Sequence, residues 1–180
     1  MALQQQLTVT LEDEFAPFLA PNQYVDYSAD SETVRQASSL AEGAASDLEV
    51  VANVYHYIIG NITYDQEKAE QVSAGSLTGY LPVVDEVLES GKGICFDYAA
   101  LMTAMLRSQR IPTRMELGYS GDTYHAWIST YVQDIGWIDN IIEFDGKSWK
   151  LMDPTFAASG GDEIMDYIGD GENYVTRFTY

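Results

Sequence analysis

The chain of 180 residues has one cysteine, two histidines and only nine Lys and Arg, against 28 Asp and Glu. A single cysteine cannot close an internal disulfide or build a Cys-rich zinc site, so Cys95 is either a small buried hydrophobe or a nucleophile. A formal net charge of −19 repels phosphate backbones and anionic bilayers, which argues against a nucleic-acid partner and favours cationic or lysine-bearing peptides. No run approaches the roughly 18 to 20 apolar residues of a membrane span, so no direct membrane insertion by this chain is expected. The opening MALQQQLTVTLEDEF lacks the charged and apolar regions of a signal peptide. Because that opening lies inside an alternating, strand-like stretch, an extracytoplasmic domain whose signal or anchor lies outside this sequence is compatible with it. Compartment and oligomeric state stay open.

What is present suits one globular domain, since 46% hydrophobic content over this length suffices for a single core. Residues 1–29 read as an extended lead-in, with alternation and Pro17 and Pro21 in place of a helical pattern. The core spans about 30–156. Asp30 or Ser31 is expected to cap a helix over SETVRQASSLAEG that stops at Gly43. In SDLEVVANVYHYIIGNI, residues Leu48, Val51, Ala52, Tyr55, Ile58 and Ile59 recur at spacings of three and four, the mark of a buried helix face. Lys68 to Gly79 reads as a polar loop, and Val83 to Leu88 as a short helix after Pro82. Phe96 to Gln109 is again helical, with Leu101, Met102, Met105 and Leu106 inward, which puts Cys95 in its first turn.

Beyond Pro112 the period changes to two. Strands are expected over Arg114 to Tyr119 and His125 to Val132, and a hairpin turning at Asp145-Gly146 over 141–152. Helices first and antiparallel strands later imply an α+β layer arrangement with the Cys-bearing helix on the sheet. The tail, 157–180, is acidic, with weak strand signals at Tyr167, Ile168 and Tyr174 to Phe178.

A thiol is activated when its usual pKa of ~8.5 is lowered, by a helix N-terminus or a neighbouring imidazolium. Cys95 has the first by position. His56 lies mid-helix and reads as an ordinary polar residue, whereas His125 starts a strand, where a side chain can face a helix terminus. Asp153, at the end of KSWKLMDPT and before Pro154, could hold the imidazole tautomer, although alone it reads as a turn cap. Nucleophile, base and orienting acid in one small domain form a hydrolase-like constellation.

The blocks GKGICFDYAALMTAML, YHAWI and WKLMDPT resemble the three signature blocks of the transglutaminase-like superfamily, and SDLEVVANVYHYIIGNITYD and RIPTRMELGY extend the likeness over about 30–156. The resemblance implies a papain-like α+β fold and a Cys-His-Asp triad of Cys95, His125 and Asp153. It further implies acyl transfer through a thioester on a peptide or protein substrate, without a metal or cofactor. For the oxyanion, the Cys95 backbone N–H is one candidate donor, and the Tyr64 side chain resembles a family position that can supply another. GKGICFDY does not reproduce the cysteine motif of arylamine N-acetyltransferases, which share the triad.

With room only for a catalytic core, the chain points to hydrolysis as a cysteine protease or amidase, ahead of a cross-linking transglutaminase or a silent binding module. A metal site from the same three residues would need a further ligand or open water site, and the acidic tail lacks EF-hand spacing. Trp127 and Trp149 read as groove floor or core. Substrate choice is expected to lie in the walls, the Gln66 to Tyr80 stretch and the tail after Phe156.

Overall fold

The computed structural model describes residues 10–133, 135–138, 142–144, 149–151 and 174–180. Four helices precede or surround a fifth. They are α1 (Glu32–Ala41), α2 (Asp47–Asn61), α3 (Gln66–Ser73), α4 (Val84–Ser90) and the central α5 (Cys95–Ser108). Two short strands, β1 (Thr63–Tyr64) and β2 (Lys92–Gly93), pair in parallel just ahead of α5. The main sheet is antiparallel, in the order β5 (Gly136–Ile138), β4 (Thr123–Val132), β3 (Thr113–Ser120), β8 (Tyr174–Thr179). A separate hairpin joins β6 (Ile142–Phe144) to β7 (Trp149–Leu151). Among the described residues no helix is long and apolar enough to cross a membrane.

α5 forms the middle of the core: Asp97 through Arg107 are all buried, the apolar residues by packing and the charged Asp97 and Arg107 through hydrogen bonds. It packs on β3 and β4 on one side and on α1, α2 and α4 on the other. Met115, Ala126 and Ile128 meet it from the sheet, with Val51, Val54, Tyr55 and Ile58 of α2 in the same cluster. This is the expected α+β arrangement, with the Cys-bearing helix on an antiparallel sheet.

Several local expectations give way to longer-range contacts. Ser31 occupies the N-cap position of α1, but its side chain makes no cap bond. The Asp85 carboxylate, 52 and 53 residues away, instead accepts the N–H groups of Thr33 at 2.9 Å and Glu32 at 3.2 Å, and the Thr33 hydroxyl at 2.7 Å. Burial pushes the Asp85 carboxyl up, but these hydrogen bonds outweigh it and hold the group below its ordinary value. α2, by contrast, is capped locally, with Ser46 accepting from the Glu49 N–H and Glu49 from the Ala45 N–H. Part of the stretch read as a loop is α3, capped by Asp65. It buries none of its residues, so its apolar pattern carried no helical signal. The lead-in is not extended at Ala16–Phe18, where Pro17 sits in a single 3-10 turn. Phe15 and Phe18 pack there on Tyr131 and Trp137. The hairpin register joins Phe144 to Trp149, and the turn expected at Asp145-Gly146 lies outside the described residues.

β8 uses the weak signal of Tyr174 to Phe178. It pairs with β3 through an irregularity at Leu117/Gly118, where a Cβ on Gly118 would stand 2.1 Å from the Val175 carbonyl oxygen. The Arg107 guanidinium joins the lead-in at Ala20 and the segment after β8 to this core, donating to the carbonyls of Thr113 (2.9 Å), Ala20 (2.7 Å) and Tyr180 (2.7 Å).

Candidate active site

Cys95 is the first residue of α5, and the approach to it is built from glycine-permitted geometry. Gly91 closes α4 in the left-handed region at φ 62°, Lys92–Gly93 pairs with Thr63–Tyr64, and Ile94 is extended at φ −100°, ψ 178° before the helix begins. The first N–H groups of a helix have no acceptor within it, so the Cys95 amide belongs to the positive end of the α5 dipole. Cys95 is a half-buried free cysteine, accessible to a reagent.

Cys95 and His125 line the same cavity, of about 260 Å³. The cavity touches three consecutive residues of β4, Tyr124, His125 and Ala126, whose side chains alternate in direction along a strand. His125 is 5% exposed and lies opposite Gly118 in the register. Its ring borders the Trp127 side, near-parallel to that indole at 27° and 6.4 Å between centroids. Trp127 itself is buried under Tyr174, as a core residue. The remaining walls are mostly apolar: Val72 and Leu77 from the α3 side, Ile94 and Phe96 beside the cysteine, and Leu117 from β3.

Of the other expected site residues, the described ones do not line this cavity. Asp153 and the tail after Phe156 lie outside the described residues, as does the side chain of Trp149. Tyr64 sits on β1 and packs against the core cluster, and the cavity wall contains Tyr80 instead. His56 is exposed on α2. Among the described residues no group of three or more His, Cys, Asp and Glu is arranged to hold a metal.

One polar cluster beside the cysteine went unread in the sequence. Asp97, at the third position of α5 and 0% exposed, accepts the Ile94 N–H at 2.8 Å, Lys68 Nζ at 3.2 Å and the Tyr80 hydroxyl. Lys68 Nζ also donates to the Tyr80 hydroxyl at 2.9 Å. Burial, then the bond to Asp97, pushes the Tyr80 phenol up to about 12. Burial alone would lower Lys68, but the bond to Tyr80 and the attraction of Asp97 raise it. An acid at the third helical position was a visible capping signal. Its partners come from the stretch read as a loop, so sequence spacing could not pair them.

A sequence model of the transglutaminase-like superfamily matches residues 34–140, more than half of the chain. No curated protein matches it. Among solved structures, a candidate cysteine protease from Cytophaga hutchinsonii is similar with a TM-score of 0.59 at 19% identity, covering 94% of this chain and 48% of that one. The periplasmic domain of TgpA from Pseudomonas aeruginosa gives a TM-score of 0.52 at 20% identity, covering 76% of this chain and 46% of that one. The same domain bound to ethylmercury gives 0.53 at 20%, covering 79% and 50%. The chain spans about half the length of these structures, and at such identities the likeness is one of fold.

Proposed function

Because the chain belongs to the transglutaminase-like superfamily, we propose that it is a cysteine-dependent acyl-transfer enzyme that hydrolyses peptide or protein amides. Cys95 is the nucleophile, His125 the general base and acid, and Asp153 the residue that orients the imidazole. The observation that carries this reading is the shared cavity of Cys95 and His125, residues delivered by a helix start and a strand start 30 positions apart.

The chemistry runs in two halves. In this reading His125 takes the thiol proton, and the Cys95 thiolate attacks the amide carbonyl. The oxyanion develops beside the α5 N-terminus, where the Cys95 N–H is a preorganised donor. His125 then returns the proton to the departing amine, leaving a thioester that water opens. The apolar walls from Val72, Leu77 and Phe96 favour an acyl donor with an apolar side chain, and the net charge of −19 favours a cationic peptide around it. One similar structure is a periplasmic domain, and extracytoplasmic placement of this chain forms part of the proposal.

Fluorogenic peptide amides, with and without a soluble primary amine, test the reading. Fluorophore release that disappears in Cys95→Ala, with an acyl adduct on Cys95 seen by mass spectrometry, supports it. Release that persists in Cys95→Ala refutes it. Amine incorporation at the expense of water would convert the assignment to a cross-linker, and no adduct with any acyl donor would leave a binding module.

A further inference from the structure

We propose that Lys68 is a positioning residue that cancels the buried charge of Asp97, so that Cys95 can carry a negative charge two residues away. The inference rests on the reading of Cys95 as the nucleophile and adds a residue outside the triad. A carboxylate with no exposed surface must be paired, and Lys68, whose side chain is 23% exposed, is the cation that pairs it, at 3.2 Å. The geometry is over-determined. The Ile94 N–H and Tyr80 hydroxyl complete the carboxylate's partners, Lys68 Nζ lies 4.6 Å from the centre of the Tyr80 ring, and a Cβ on Gly93 would stand 2.6 Å from Asp97 Cβ.

Two consequences follow. A fixed negative charge on the same helical turn disfavours a second one at Cys95, and Lys68 removes that penalty while leaving Asp97 free to cap Ile94. The same pair fastens α3 and Tyr80, which wall the cavity, to the helix that carries the nucleophile. Lys68 and Tyr80 also border a second cavity, of about 390 Å³. The other titratable groups facing the two cavities are Asp65, Glu86 and Lys92 on the second, and Cys95, Tyr124 and His125 on the first.

Alkylation of Cys95 by iodoacetamide, followed against pH, reads the effect directly because no other thiol interferes. Lys68→Met is expected to move the midpoint of the rate profile upward by about half a unit to one unit relative to the native protein. Asp97→Asn keeps a carbonyl oxygen for the Ile94 N–H, and in the Lys68→Met background it should bring the midpoint back. Lys92→Met removes an equal charge from an exposed site of the second cavity and should leave the midpoint in place. An unmoved midpoint in Lys68→Met overturns the inference, and so does a shift that Asp97→Asn fails to reverse. The underlying reading fails separately, through a native midpoint at the ordinary thiol value of ~8.5. In that case the charge pair has no catalytic meaning.

Discussion

Replacing Arg107 by methionine keeps an unbranched chain of similar bulk in α5 but removes all three of its donors. Arg107 is 1% exposed, and although burial lowers it to about 10 it remains charged near neutrality. Its three acceptors are the carbonyls of Ala20 in the lead-in, Thr113 at the start of β3 and Tyr180 after β8, the last of which also accepts the Met115 N–H at 3.0 Å. Each hydrogen bond from a charged donor contributes about 1.5–3 kcal/mol, but the Ala20 and Tyr180 carbonyls lie in part-buried surroundings where water can replace the lost donor. The Thr113 carbonyl is buried and has no such recourse. The net loss should therefore be about 3–5 kcal/mol, a large share of the ~5–15 kcal/mol that stabilises a typical domain. At ~2–4 °C per kcal/mol for a chain of this size, the midpoint of thermal unfolding should fall by roughly 10 °C. Arg107→Lys, able to satisfy one or two of the carbonyls, should fall between. Circular dichroism melts and urea titrations of the three proteins measure this, and a drop below about 2 °C in Arg107→Met would refute the idea that the guanidinium staples these segments.

Gly93→Ala forces a Cβ against Asp97 at the base of the nucleophile helix, so it should cost about 1–3 kcal/mol in urea unfolding and slow Cys95 alkylation several-fold. Unchanged values in both assays would contradict the close packing. Asp85→Ala removes the long-range cap of α1 and should destabilise by about 1 kcal/mol at pH 7. Since the folded Asp85 carboxyl sits below its ordinary value, its contribution is full above about pH 4 and fades as the pH falls through the folded value. The difference between native and variant stability should narrow on acidification, and a widening gap would be inconsistent with this cap. Leu77→Asp introduces a charge into the apolar wall and should reduce turnover of amides bearing Leu or Phe by about tenfold or more, with iodoacetamide reactivity within twofold of native. Equal losses with both reagents would mean that the helix start had moved.

Elements that bury a continuous face were legible from periodicity alone. α5, α2 and the β3–β4 pair each show their core contacts as an apolar repeat of three to four or of two. α3 was not legible because it buries nothing, and β8 only weakly so because, among the described residues, it lies at the sheet's edge with Val175 and Phe178 exposed. The cap of α1 followed the same division. Local capping by Ser46 is a sequence pattern, whereas Asp85 reaches α1 only after α4 has docked. At the site, the helix start carrying Cys95 and the strand start carrying His125 could be read separately, and both residues line one cavity. The Lys68, Tyr80 and Asp97 cluster could not be read, because it joins residues 29 and 17 positions apart across a turn whose path the sequence does not encode locally.

If Cys95 reacts as a thiolate supported by His125, as proposed, the rate of its alkylation between pH 4 and 10 should differ between native protein and His125→Ala. The native rate should stay high down to about pH 5, and the dependence of the variant should return toward the ~8.5 of an unassisted thiol. Two superimposable profiles centred near ~8.5, from an accessible thiol, would contradict the proposal.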